Sequence, residues 1–209
     1  MNIMDNKNEF KPYIPADKVV PEFTVTSIVI GILLAIVFGA ANAYLGLIVG
    51  MTISASIPAA VISMGIIRVI LRKDSILENN IVQTIGSAGE SVAAGAIFTL
   101  PALFIWAEEG KMDAPSLLTI FFVALFGGIL GVCFMVPLRQ ALIVEEHGTL
   151  PFPEGTACAE VLLAGEEGGA KAGTVFAGLG IAAVYKFVAD GLGVFKSEIG
   201  YAFESYAGS

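Results

Sequence analysis

The stretch Asn80–Trp106, NIVQTIGSAGESVAAGAIFTLPALFIW, decides how the rest of the chain is read. Its 27 residues, at about 1.5 Å each, would reach roughly 40 Å as a helix, enough to cross a bilayer. Its middle, however, is GSAGES. Glu90 lies near the centre of the span, flanked by Gly86, Ser87, Gly89, Ser91 and Gly95. An ionised carboxylate at that depth costs about 2.5–3.5 kcal/mol even on the lenient insertion scale, so protein or water must face it rather than lipid. Small residues three or four apart admit a close helix neighbour, and glycines allow the helix to open onto a cavity. Pro101 removes a further backbone donor, so a bent or broken third span is expected. The competing reading makes Glu90 a neutral carboxyl hydrogen-bonded between helices, with no role in transport.

Composition points the same way. Only 14% of the 209 residues are charged and 56% are hydrophobic, with mean hydropathy +0.83. Soluble domains carry about 25% charged residues, which makes this an integral membrane protein with an all-α polytopic fold. A net charge of −8 without a Lys/Arg cluster argues against nucleic-acid partners. Cys133 and Cys158 supply neither a disulfide framework nor metal-finger spacing, and they read as packing residues.

Outward from the central stretch, about five spans are expected: 23–49, 51–70, 80–106, 117–138 and 172–195. Residues 1–22 form a polar tail broken by Pro12, Pro15 and Pro21, and 196–209 a C-terminal tail that stops without a compact ending. In the first span Asn42 and Tyr44 are positioned to meet a ligand, with an interhelical hydrogen bond as the competing reading for Asn42. Lys7, Lys11 and Lys18 precede the first span, Arg68, Arg72 and Lys73 close the second, and Arg139 closes the fourth. With even numbers of crossings between them they share one side, which the positive-inside rule makes cytoplasmic together with the N-terminus. Ser75-Ile-Leu-Glu78 has capping-box spacing and would start either a short interfacial segment or the third helix itself.

Residues 145–165 suit neither a lipid-facing span nor an ordinary loop. Leu150-Pro-Phe-Pro153 cannot be regular helix. Glu154-Gly-Thr156 would cap a short helix over Ala157–Ala164 within a re-entrant or interfacial segment lining a cavity. The positive end of that helix suits an anionic group such as a peptide carboxylate. His147, beside Glu145 and Glu146, is a candidate proton relay or part of a site for a metal chelate, and equally a solvated turn. Glu154 and Glu160 divide between cavity and surface roles. In the fifth span Lys186 and Asp190, at i and i+4, form an expected intramembrane ion pair, either structural or in the substrate path.

Positive evidence for an enzyme is missing: there is no P-loop, HExxH, CxxC or GxSxG, and no dinucleotide fingerprint at a strand end, so no catalytic residue, cofactor or metal ligand is assigned.

Three blocks in fixed order, ANAYLGLIVGMTISASIPAAVI, NIVQTIGSAGESVAAGAIFTLPALFI and LPFPEGTACAEVL, resemble the N-terminal part of the oligopeptide transporter (OPT) family, in particular its bacterial and archaeal members. The resemblance covers most of residues 12–195. It implies a secondary transporter for small peptides or peptide-like metal chelates, generally driven by proton symport, in the cell membrane. Because family members have many more spans, it also implies a fragment or truncated member, completed by a C-terminal half or by another copy. It attaches to Asn42, Tyr44 and Gly46, to Gly86, Ser87, Gly89, Glu90 and Ser91, and to Pro151, Phe152, Pro153, Glu154, Gly155, Thr156 and Glu160. Glu90 is then the coupling acid and the Glu154–Glu160 element a gate. The alternative is a non-transporting membrane subunit that assembles with another polytopic protein through its small-residue faces.

Overall fold

Helix α1, Val25–Val49, starts where Thr24 leaves extended backbone: its hydroxyl accepts the Ser27 N–H while the Ser27 hydroxyl accepts the Thr24 N–H. It stops at Gly50, whose φ of 72° suits only a residue without Cβ. These coordinates are a computed structural model and describe residues 12–15, 17–73, 75–146 and 148–194. Within them every regular element is helical. Four helical stretches are long and apolar enough to cross a membrane, Val25–Val49, Ile76–Glu108, Leu117–Glu145 and Ala172–Ala189, and a shorter apolar one covers Ser56–Arg68.

Apart from Leu34, the residues α1 buries are small or polar: Ser27, Gly31, Asn42 and Gly46. Its large apolar side chains, such as Ile36 and Leu47, point outward. Such an inverted pattern fits a lipid solvent, where close approach of backbones rather than expulsion of oil holds helices together. The partner is α3, Ile76–Glu108, started by Ser75, whose hydroxyl accepts the Glu78 N–H. Gly31 faces Ile85, Gly39 meets the Gly89 carbonyl and Gly46 faces Ile97, so α1 and α3 run parallel. At Gly89 a Cβ would lie 2.3 Å from the Ala35 carbonyl oxygen. That contact admits hydrogen and nothing larger.

Parallel neighbours need a return crossing between them. It consists of non-helical Met51–Ala55, then α2, Ser56–Met64, prolonged by a widened π-helical turn over Gly65–Ile70. Ser56 and Ser87 hydroxyls lie 2.8 Å apart, and the Ser63 hydroxyl donates to the Asn79 carbonyl at 3.3 Å, so α2 descends antiparallel to α3. Its helical part, about 22 Å long, is shorter than a hydrocarbon core of about 30 Å. At the lower end Ser75 donates to the Pro21 carbonyl and Thr24 to the Glu78 carboxylate, joining the approach to α1 with the start of α3.

The break expected in the third span therefore lies in the second. α3 is continuous through Gly86–Ser91 and through Pro101. Its glycines serve close approach, with Gly86 against Leu34 and Ala59 and Gly89 against Ala35, and such packing leaves the helical bonds intact.

Helix α4, Leu117–Arg139, is capped by Ser116, continues as a π-helical turn to Glu145 and buries none of its residues. Helix α5, Pro153–Glu167, begins with proline at the position where a missing N–H costs nothing. It is longer than Ala157–Ala164, and it lies beside α2 in the same direction, with Glu154 at Ser54 and Gly165 against Met64. The described residues from 167 to 194 form a separate unit that holds α6, Gly169–Lys186, extended by a π-helical turn over Phe187–Gly191. Residues 1–11 and 195–209, and so most of the N-terminal tail and all of the C-terminal one, lie outside the described residues.

The Gly89 contact predicts that Gly89→Ala lowers stability by about 1–3 kcal/mol through overpacking, whereas Gly127→Ala, with nothing within 4 Å, leaves it unchanged or slightly higher. Thermal unfolding of the two variants in detergent checks this.

Candidate functional site

Two half-helices, α2 and α5, each follow non-helical backbone and start beside Glu90 and Ser54 respectively. Between them and α3 is a cleft of about 600 Å³, lined by Ser54, Ser56, Asn80, Gln83, Ser87, Glu90, Ser91 and Glu154, with Gly155, Cys158, Ala159 and Leu162 completing the wall. Eight of the twelve lining residues are polar, and neither Lys nor Arg is among them.

Glu90 is 7% exposed and Asn42 2%. The Asn42 amide nitrogen donates to the Glu90 carboxylate oxygen Oε1 at 3.3 Å, and its Oδ1 accepts the Ile53 N–H at 3.1 Å. Glu90 Oε2 accepts the Ala55 N–H at 3.3 Å. The two side chains thus supply acceptors for the non-helical backbone and for the start of α2, where the helix dipole also favours a negative charge. This explains how an acid and an amide reside in apolar helices: each has partners, so neither bears the full cost of burial.

On the opposite wall the Ser54 hydroxyl donates to the Glu154 carboxylate. Hydroxyls of Ser54 and Ser56 lie 3.2 Å apart, and Ser56 reaches Ser87, so three serines form a hydroxyl chain from Glu154 to α3. Ser91 closes the row by donating to the Ser87 carbonyl at 3.0 Å. Burial and then the charge of Glu154 push the Cys158 thiol above its ordinary range, which keeps it protonated and weakly nucleophilic at neutral pH.

Of the residues singled out by sequence, Ser87, Glu90, Ser91 and Glu154 come together at this cleft, and Asn42 stands directly behind Glu90. Gly86 and Gly89 pack α3 on its neighbours. Tyr44 is 67% exposed, and Thr156 and Glu160 are exposed and outside the lining. His147 and the side chain of Asp190 lie outside the described residues, while the backbones of Lys186 and Asp190 are one turn apart at the end of α6. Sequence reasoning missed Ser54, Ser56, Asn80 and Gln83 as lining residues. A polar residue every three or four positions through Asn80, Gln83, Ser87 and Ser91 was the legible signal for α3. It also read Glu78 only as a cap, although this second acid is 1% exposed and bound by Thr24, with Lys73 3.5 Å away.

Fold and site define a multi-pass membrane protein with a polar, acidic cleft between half-helices. Residues 22–203 match the family model described as OPT oligopeptide transporter protein, and the chain belongs to that family. A protein from Haemophilus influenzae (strain ATCC 51907 / DSM 11121 / KW20 / Rd) named "Putative oligopeptide transporter" is 42% identical over 153 residues, covering 72% of this chain. The aligned part is 23% of that relative's length. No solved structure matches the chain.

Two outcomes are expected. Asn42→Ala, which strips acceptors and donors from buried partners, destabilises the protein by about 1–3 kcal/mol, and Tyr44→Phe does not; chemical or thermal unfolding in detergent distinguishes them. Alkylation of Cys158 by N-ethylmaleimide is slow at pH 7 and rises only as pH passes above the ordinary thiol pKa of about 8.5. Peptide mass spectrometry of pH-stepped labelling gives the profile.

Proposed function

We propose that the chain is part of a secondary active transporter that moves small oligopeptides or peptide-like metal chelates across the cell membrane by proton symport. The observation that carries this reading is a buried acid, Glu90, that both faces a polar cleft and holds the broken crossing in place. Membership of the OPT family supports transport of peptides, and the cleft supplies hydrogen-bonding groups suited to an amide-rich substrate. Discontinuous helices meeting around a polar site are the usual way membrane transporters expose backbone polarity to cargo.

Glu90 is the coupling acid in this reading. Ionised, it accepts from Asn42 and from the Ala55 N–H. A proton on the carboxyl removes the charge that favours the start of α2 and weakens those bonds, which loosens Met51–Ala55 against the cleft wall. Proton uptake and movement of the wall are then one event. The Glu154 end of α5 forms the facing wall and acts as the gate. His147, which lies outside the described residues, keeps its place as a second candidate for the proton.

The chain is oriented with its N-terminus in the cytoplasm, because Lys18, Arg72 and Lys73 flank the end where the Pro21 and Ser75 segments meet, and basic residues stay inside. A C-terminal half or another copy of the chain completes the pathway.

In the intact protein, Glu90→Gln keeps expression and folding but abolishes uptake of labelled peptide driven by an imposed pH gradient. Proteoliposome assays measure this, and retention of proton-driven uptake by the variant removes Glu90 from the coupling step.

A further inference from the structure

The cleft has a charge preference that its helix ends alone would reverse. Helix N-termini attract anions, and α5 would on that ground take a substrate carboxylate. Yet Glu90 stands at the start of α2 and Glu154 in the first turn of α5, so each positive end already has a carboxylate beside it. Each N-terminus is worth about half a positive charge, which leaves the two acids with about one negative charge between them. Among the described residues neither Lys nor Arg lines the cleft to cancel it. Glu90 has both oxygens engaged inside the protein, whereas Glu154 has one oxygen held by Ser54 and is itself exposed.

We propose that this cleft binds the primary ammonium end of the peptide, with Glu154 as its counter-charge and the Ser54, Ser56 and Ser87 hydroxyls as flanking acceptors. The inference rests on the transport reading above and specifies which end of the substrate this part of the protein holds. An ammonium group offers three donors and no acceptor, and the hydroxyl row with a carboxylate at its end offers acceptors only a few ångströms apart. A substrate carboxylate would instead meet two acids without a cation. The free carboxyl end therefore belongs elsewhere in the transporter.

The test compares uptake by the intact transporter in proteoliposomes of labelled trialanine, N-acetyl-trialanine and trialanine amide. Acetylation removes the ammonium and is expected to raise KM by about tenfold or more, the scale of one lost charge-assisted hydrogen bond, while amidation changes it less. Glu154→Gln raises KM for trialanine by a larger factor than for N-acetyl-trialanine, so the ratio between the two peptides shrinks towards one. The comparison of peptides on the unaltered protein stands even where the variant does not fold. Saturable uptake with equal KM for trialanine and N-acetyl-trialanine, or a larger loss on amidation, overturns the ammonium assignment alone. Absence of saturable uptake of all three overturns the transport reading and this assignment with it.

Discussion

The structure depends on one hydrogen-bonded bracket: Asn42 on α1 and Glu90 on α3, closed over the non-helical backbone of Met51–Ala55. A chain that crosses apolar surroundings without a helix leaves N–H and carbonyl groups that lipid cannot satisfy, at a cost of several kcal/mol each. Side chains from two neighbouring helices meet part of that demand here. The parallel pairing of α1 and α3 places the two side chains, and that pairing in turn needs glycine where the backbones touch, most tightly at Gly89 against Ala35. Packing, backbone satisfaction and the position of the acid are thus one arrangement.

Much of this was legible in the residues. Length and hydropathy marked the apolar segments, and a carboxylate among glycines and serines marked α3 as the element that others surround. The sequence also placed Asn42 where a helix contact was one of two readings, and the contact it makes is with Glu90. The proline pair at Pro151 and Pro153 announced a non-helical entry, and α5 indeed starts at Pro153.

What was not legible is where the break falls. Glycines in α3 and in α1 carry the same local signal whether they open a helix or let another approach, and only the identity of the neighbour decides. Conversely Met51–Ala55, MTISA, has no proline or glycine within it to announce a break in the helix. Its conformation is imposed from outside, by acceptors 11 and 35 residues away in sequence. The serines of the cleft were hidden for a related reason: Ser54 and Ser56 gain meaning only when α5 is laid beside them. The burial of Glu78 escaped notice too, because a capping residue exposed at a helix start and one sealed by a preceding segment share the same spacing.

The most direct measurement is hydrogen–deuterium exchange of the Met51–Ile57 amides in the intact protein reconstituted in nanodiscs, for the unaltered chain and for Glu90→Ala. The bracket predicts protection of the Ile53 and Ala55 amides that is lost in the variant, with the rest of α1 and α3 retaining theirs. Equal exchange at those two amides in both proteins would contradict the claim that Glu90 holds the broken crossing in place.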